Sequence, residues 1–277
     1  MEMELTELRI TKEDFEHHVP VAQSNNDGIF EACASFIESE GIDFCENVLG
    51  ELGMEAIETT NGLRSSAVGA ICNRGFVLAI RQLDVVLTNT GFGVVSTQDL
   101  TPASQSRVQA VEDNIRLNIL RTTCNSIKFL RRVVGWGDTE AAQLCIPHIC
   151  WSYHEMLLRA GMEAKYSLWI SVQPAITEAL KVITDNISIE MMSVLLDAER
   201  KAIHQTVFNR TLKDCIVRAV AFKMCGNEDA FRAGVKDTVR LLEDNIDNFP
   251  EYRDSSTYEA RHYKGYENRQ DSKVYYF

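Results

Sequence analysis

Apolar side chains recur at helical spacing along most of the chain, and this periodicity limits the fold more than any other feature. The first long stripe comprises Ile29, Ala32, Cys33, Phe36 and Ile37, and a second one runs from residue 108 to residue 133. Positions three and four apart share one face of an α-helix, so each stripe predicts a helix with one buried side. With 277 residues, 45% of them hydrophobic, the chain is long enough to build a sizeable helical core.

Local signals place several helix boundaries. Thr11 followed by Asp14 predicts an N-terminal cap, and Ser188 and the Gly226-Asn227 pair mark later starts and stops. The helices predicted in the second half cover about 174–185, 188–204, 206–225 and 227–247, after a loop that contains Trp169. A soft boundary lies near 161–173, but short loops favour a single helical domain over 1–249.

Two glycines interrupt a helix predicted from about Ser65 to Leu83. Gly69 and Gly75 lie six residues apart, and each weakens a helix by roughly 1 kcal/mol relative to alanine. Close packing against neighbouring helices can offset that loss.

Residues 84–96 differ from the helical sequence around them. Val85–Thr88 and Val94–Ser96 favour β structure on either side of Asn89–Gly93, which predicts an inserted β-hairpin with a five-residue turn. Thr101-Pro102 then predicts the start of the next helix. Gly91 and Gly93 do not form a phosphate loop, because the Walker and dinucleotide motifs need further glycines or a Lys-Ser/Thr pair at fixed spacing.

The C-terminal segment 250–277 is rich in tyrosine and lacks helical periodicity. It holds six of the eight tyrosines in the chain and ends at Phe277. We predict an extended tail, either an arm that packs on this or a neighbouring subunit or a flexible end.

Acidic residues are concentrated at the start of the chain. Residues 1–60 contain 15 Asp and Glu against only Arg9 and Lys12, a balance of -13, whereas the whole chain carries -12. This surface is either simply solvated or meets a basic partner, and it disfavours direct DNA binding. No apolar run is long enough to cross a membrane, and the acidic start is unlike a signal peptide, so a cytosolic location without membrane contact is expected.

Basic residues follow the second stripe on its opposite face. Arg107, Arg121, Lys128, Arg131 and Arg132 allow three interpretations: a solvated helix face, a surface for an acidic protein partner, or a nucleic-acid contact. The acidic N-terminal region makes the second interpretation attractive, because the acidic end of one copy can dock on the basic helix of another. Such a heterologous contact closes into a ring when the rotation permits.

Four residues offer metal-ligand chemistry. Cys145, His148, Cys150 and His154 carry the thiolate and imidazole groups that zinc prefers. On a regular helix they point to two opposite sides, so they converge only if Pro147 breaks the helix. Buried cysteines with partly exposed histidines are the alternative, and we assign no catalytic, cofactor-binding or metal residues.

The order of features resembles an uncharacterised family encoded in phages and prophages of Bacteroidales. The resemblance spans most of residues 65–247 and is carried by "LDVVLTNTGFGVVSTQDLTPASQSRV" and "IPHICWSYHEMLLRAGMEAKYSLWISVQPAITEAL". It implies a virion morphogenesis protein, a head-tail connector or adaptor that forms rings and contacts portal or tail components. No catalytic residues carry over, and residues 1–60 and the tyrosine-rich tail lie outside the match.

Together these features predict a mainly α, bundle-like, non-enzymatic structural protein without a cofactor. It would reside in the bacterial cytoplasm during assembly and afterwards in the virion. Two alternatives stay open, a metal-dependent enzyme built on the Cys/His set and a nucleic-acid-binding module that uses the basic face of residues 107–132. The candidate subunit contacts are Phe92, Arg121, Lys128, Arg131, Arg132, Tyr252, Tyr258, Tyr263, Tyr266, Tyr275, Tyr276 and Phe277.

Overall fold

The structure is a computed structural model that describes residues 7–20, 28–83, 85–88, 91–94, 105–202 and 206–263. The chain divides into two compact units. Unit 1 is Met1–Pro174 with Asp197–His204, and unit 2 is Ala175–Leu196 with Gln205–Phe277. The prediction of a single domain over 1–249 stays a prediction, because compactness does not show whether either unit folds alone.

Helices make up most of the described chain, which confirms the prediction of a mainly α protein. The helices of the first half are α1 (Lys12–His18), α2 (Gly28–Phe44), α3 (Gly50–Glu55), α4 (Leu63–Leu83), α5 (Gln105–Leu130), α6 (Glu140–Cys145) and α7 (Tyr153–Arg159). The second half contains α8 (Tyr166–Ile187), α9 (Ile189–Arg200), α10 (Val207–Met224), α11 (Glu228–Asp244), α12 (Pro250–Arg253) and α13 (Ser256–Arg261). A π-helical turn, Cys45–Leu49, joins α2 to α3.

The core of unit 1 is organised around α4, which packs against α1, α2 and α5. Seven consecutive residues of this helix, 67–73, are buried. Because successive helical residues point in directions about 100° apart, such a run is buried only when neighbours surround the helix. α4 is therefore the central helix of the unit.

The two glycines of α4 lie where neighbouring helices approach it most closely. A Cβ on Gly75 would lie 2.7 Å from Ile37 Cγ1 and 2.9 Å from the Ile37 backbone of α2. A Cβ on Gly69 would lie 2.9 Å from His18 Nδ1 and 3.2 Å from Thr122 Cγ2 of α5. The close helix packing expected at the two glycines is thus confirmed.

The N-terminal helix α1 is fixed to α4 by polar contacts. Thr11 and Asp14 form the predicted cap: Thr11 Oγ1 accepts from the Asp14 amide at 3.2 Å, and the Thr11 amide donates to Asp14 Oδ2 at 3.3 Å. Arg64 donates to the same Asp14 carboxylate at 3.2 Å. The amide of Asn73, which is buried, donates to the His18 carbonyl at 3.1 Å, so a polar group inside the core is satisfied.

The β-hairpin predicted over residues 84–96 is wrong. That prediction placed 89–93 in the turn and 94–96 in the second strand, whereas the described strands are β1 (Val85–Thr88) and β2 (Gly91–Val94). They pair antiparallel, with Val85 opposite Val94 and Thr88 opposite Gly91. Two glycines in β2 supply no side chains for packing, and an isolated two-stranded pair is at best marginally stable in water. We therefore correct the fold class to mainly α and assign no assembly role to this segment; Thr101 and Pro102 lie outside the described residues.

The loop predicted around Trp169 is also wrong. Helix α8 begins at Tyr166, and Pro174 lies inside it rather than at its start. The Trp169 amide donates to the Lys165 carbonyl at 3.0 Å, and its ring lies 6.3 Å from that of Tyr153, centroid to centroid. Burial of this aromatic side chain stabilises the helix ahead of Pro174, whereas the proline alone predicted a helix that starts only at residue 174.

Unit 2 shows the helix boundaries that its capping residues predict. Ser188 Oγ accepts from the Met191 amide at 3.2 Å at the start of α9. Gly226 has a φ of 72°, the left-handed conformation that glycine tolerates, and the Asn227 side chain then caps α11 by accepting from the Ala230 amide at 3.0 Å. α10 packs against α11, where Gly234 admits Ala219 closely.

The extended C-terminal tail predicted for 250–277 is corrected for its first part. Residues 250–253 and 256–261 form α12 and α13, and Tyr252 is 0% exposed. The Tyr252 ring lies 5.5 Å from that of Tyr258, and the Tyr252 hydroxyl accepts from Arg261 at 3.1 Å. Two helices this short show too little periodicity to be recognised in sequence, which explains the error.

Candidate functional site

Three basic residues of the predicted contact set form an exposed face of unit 1. Arg121, Lys128 and Arg132 are all exposed, and their spacings of seven and four residues place them on one side of α5 and its C-terminal turn. Within the described part of the chain, none of them forms an ion pair with an acidic residue. Their charges are therefore available to a partner. The Arg107 side chain lies outside the described residues.

Arg131 differs from Arg121, Lys128 and Arg132 because its side chain forms contacts within unit 1. Its Nη1 lies 3.2 Å from Oε1 of Glu199, and its Nε donates to the Glu199 carbonyl. Trp151 Nε1 donates to the same Oε1 at 3.0 Å, and the guanidinium lies 5.9 Å from the Trp151 ring centroid. Burial lowers the pKa of Arg131, while the Glu199 charge opposes that shift. This cluster ties the C-terminal end of α9 to the end of α5.

The acidic residues of the first 60 positions are partly neutralised inside unit 1. Arg64 pairs with Asp14 at 3.2 Å, and Arg74 pairs with Asp43 at 3.0 Å. Seven exposed glutamates in the described ranges form no ion pair with another described residue: Glu7, Glu13, Glu31, Glu38, Glu46, Glu51 and Glu55. The acidic charge that sequence composition indicated is thus largely open to solvent.

Part of this acidic surface borders a groove, which we call the acidic groove. Its lining includes the acidic Glu7, Glu46 and Glu51 and the apolar Ile42 and Met54, and its volume is about 340 Å³. Ile42 is 60% exposed, although it follows the buried positions of α2. An apolar surface of this kind, bordered by charge, is typical of a protein-binding site.

Cys45 also lines the acidic groove but is poorly suited to nucleophilic chemistry. Burial and the nearby Glu7 and Glu46 carboxylates raise the pKa of its thiol to about 11. At neutral pH the reactive thiolate is therefore scarce. The groove is better suited to binding than to catalysis.

The turn after α5 presents an exposed apolar side chain beside the basic face. Val134 is 93% exposed and lies two residues beyond Arg132. Trp136, which is fully buried, anchors the turn: its Nε1 donates to the carbonyls of Leu49 at 3.0 Å and Val48 at 3.3 Å. Gly135 makes the reversal with a φ of 84°. Val134 is thus held in a defined position on the surface.

The Cys/His set does not form a metal site. Among the described residues, which include all four of these side chains, no three His, Cys, Asp or Glu residues lie close enough to share a metal ion. Cys145 Sγ contacts the Asn47 carbonyl at 3.7 Å, and burial raises the pKa of that thiol to about 12. Cys150 is buried, whereas His154 is exposed. The helix does break near Pro147, but the break does not bring the four together.

The remaining predicted contacts divide between buried, exposed and undescribed positions. Tyr252 is buried in unit 2, Tyr258 is half-buried, and Tyr263 is 75% exposed. The Phe92 side chain, Tyr266, Tyr275, Tyr276 and Phe277 lie outside the described residues.

Sequence reasoning missed two surface features, Ile42 and Val134. Neither residue was singled out in the sequence, and each is exposed. The proximity of Val134 to Gly135-Trp136-Gly137 was the available signal, because a turn places side chains outside the helical periodicity.

The fold and these surfaces define a mainly α-helical protein with separate acidic and basic faces on its first unit. The chain belongs to the family described as Family of unknown function (DUF6712), which it matches over residues 36–142 and 226–262, just over half of its length. No curated protein and no solved structure matches it. In the described residues, no helix combines the length and the apolar character needed to cross a bilayer.

Proposed function

We propose that this protein is a non-enzymatic structural subunit of a phage or prophage virion. It acts as a head-tail connector or adaptor through contacts with copies of itself and with other virion proteins, such as portal or tail components. It would reside in the bacterial cytoplasm during assembly and then in the virion. The resemblance described for residues 65–247 supports the virion context.

One observation carries the self-association part of this proposal: unit 1 has exposed charges of both signs that its described residues do not neutralise. Arg121, Lys128 and Arg132 face solvent on α5, while glutamates such as Glu46 and Glu51 face solvent near α3. Complementary charged surfaces steer association and fix its register. A second copy supplies the complement of each surface.

Salt dependence tests this association. We expect native mass spectrometry and light scattering to show oligomers at about 0.1 M salt that dissociate near about 1 M, because the Debye length falls from about 10 Å to about 3 Å. The triple variant Arg121→Glu/Lys128→Glu/Arg132→Glu should stay monomeric at the lower salt concentration.

A matched control keeps the same change in net charge but places it elsewhere. Arg210, Arg232 and Lys236 are exposed residues of unit 2, and their triple replacement by Glu should leave the oligomer intact. A wild-type protein that stays monomeric at high concentration and low salt would overturn the self-association proposal. Salt-sensitive DNA binding through the same three α5 cations would instead favour a nucleic-acid-binding function.

The virion assignment needs its own test. Particles released after prophage induction should contain this chain in several copies, detected by quantitative mass spectrometry of purified virions. Portal, terminase and major capsid genes should also lie beside its gene. Purified particles that lack the chain would refute the assignment.

A further inference from the structure

We infer that the acidic groove of one copy binds Val134 and Arg132 of a second copy of this chain. This inference rests on the self-association proposed above and identifies the two surfaces that meet. The segment 132–134, together with Lys128, is called the basic knob below.

The acidic groove has the chemistry that such a segment requires. Its lining includes Ile42, which is 60% exposed, and its volume of about 340 Å³ exceeds that of one aliphatic side chain. Glu46 and Glu51, which also line the groove, are exposed and form no ion pair with any residue that the structure describes. An apolar side chain flanked by a cation therefore complements both the apolar and the acidic lining residues.

The basic knob supplies this combination within three residues. At 93% exposure, Val134 is the most accessible large apolar side chain among the described residues. Arg132 is exposed beside it, and Lys128 lies one helical turn earlier. Because Trp136 and Gly135 hold the turn in place, little conformational freedom is lost when the knob binds.

The basic knob cannot enter the acidic groove of its own chain unless the contacts between the end of α5 and α3 are broken. The end of α5 packs on one face of α3: a Cβ on Gly53 would lie 2.8 Å from Leu130 Cδ2, and a Cβ on Gly135 would lie 3.3 Å from Leu52 Cδ1. The groove is lined instead by Glu51 and Met54 of that helix. Residues 52 and 54 are about 200° apart around a helix, so the two contacts use different faces.

A copy can therefore donate its knob to one neighbour and accept the knob of another. This arrangement is a heterologous contact, which produces a ring when its rotation closes and an open chain when it does not. It contrasts with a two-fold dimer, in which both partners use one common patch.

Complementary single variants test the contact directly. Val134→Asp removes the knob and Ile42→Asp blocks the groove, and both positions are exposed, so we expect tryptophan fluorescence and circular dichroism to show an unchanged fold. Each variant should raise the dissociation constant of self-association by about tenfold or more, because an apolar side chain is no longer buried. The matched control is Leu158→Asp, at a position that is 70% exposed on α7.

Mixing the two variants separates this geometry from other modes of assembly. A Val134→Asp chain retains a groove and an Ile42→Asp chain retains a knob, so an equimolar mixture should form one-to-one dimers and nothing larger. A photo-crosslinking amino acid at position 134 should react with the peptide that contains residues 41–54 of another copy. The same group at position 158 should not.

The outcomes distinguish the inference from the proposal on which it rests. Assembly of wild type with loss in both variants, retention in the Leu158 control and dimers in the mixture support the inference. Wild-type assembly that Val134→Asp and Ile42→Asp leave unchanged overturns the inference while the proposed function stands. Failure of wild type to assemble overturns both.

Discussion

Replacing Arg131 with methionine tests whether this residue belongs to the core or to a partner surface. Arg131→Met keeps an unbranched side chain against Trp151 but removes the cation beside Glu199. Glu199 is 4% exposed, and the Nη1 to Oε1 distance is 3.2 Å. The variant therefore leaves a buried carboxylate with the Trp151 indole N–H as a remaining neutral donor.

The magnitude follows from the burial of the pair. Removing one partner of a buried ion pair costs about 3–5 kcal/mol, because the other charge loses compensation. The Arg131 side chain retains 18% exposure, which admits some water to the cluster. We expect a loss near the lower limit, about 3 kcal/mol. In Arg131→Met/Glu199→Gln the loss should shrink to about 1 kcal/mol, since the amide oxygen still accepts from Trp151 and no carboxylate charge is buried.

The assay uses the position of the tryptophans. All three, Trp136, Trp151 and Trp169, lie in unit 1 and are at most 8% exposed. A urea titration followed by tryptophan emission therefore detects unfolding in the unit where the cluster lies. Unit 2 contributes no tryptophan signal.

The adjacent arginine provides the control. Arg132→Met removes the same charge from an exposed position that forms no ion pair with the described residues, and we expect a change within about 0.5 kcal/mol. If the Arg131 and Arg132 variants unfold at the same urea concentration with equal slopes, the buried cluster does not stabilise unit 1 and the reasoning fails.

Three further predictions concern side chains inside one unit or the other. Gly75→Ala should destabilise unit 1 by about 2 kcal/mol in the same urea titration. The new methyl group clashes with the Ile37 backbone, and the cost of that clash outweighs a gain in helix propensity of about 1 kcal/mol. A variant that is as stable as wild type or more stable would contradict the close approach of α2 to α4. Burial and the charge of a neighbouring histidine lower the pKa of His18 below its ordinary 6.5, so its contribution to stability is present above pH 6.5 and is lost as pH falls through the lowered pKa. His18→Gln should reduce the stability difference between about pH 8 and about pH 5, and an unchanged difference would refute this. Tyr252→Ala should cost about 3 kcal/mol or more and speed trypsin cleavage after Arg253, whereas cleavage at the wild-type rate would show that α12 is not held by its tyrosine.

Much of the helical framework could be predicted because its causes are local. The Thr11/Asp14 cap and the Gly226-Asn227 boundary depend on residues within a few positions of each other, and the structure confirms both. The predictions failed where distant contacts decide the conformation. Trp169 lies in a helix that begins before Pro174, and it packs on Tyr153 of another helix.

The candidate site also shows the difference between features set by local residues and features set by distant contacts. Arg131 and Arg132 are adjacent and chemically identical, and sequence reasoning assigned both to one basic face. Only the position of Glu199, 68 residues further along the chain, separates a half-buried structural arginine from an exposed one. Likewise, the exposure of Ile42 depends on which face of α2 its neighbours cover.

By itself, the sequence determined the helical class of this protein, its local caps and the excess of acid in its first 60 residues, because periodicity, capping and charge are properties of short segments. Tertiary structure decided which charges remain exposed, which glycines admit a neighbouring helix and where apolar and acidic side chains line a common groove. Those features depend on pairs of residues far apart in the chain, and the free energy of their contacts is settled only when the helices pack together.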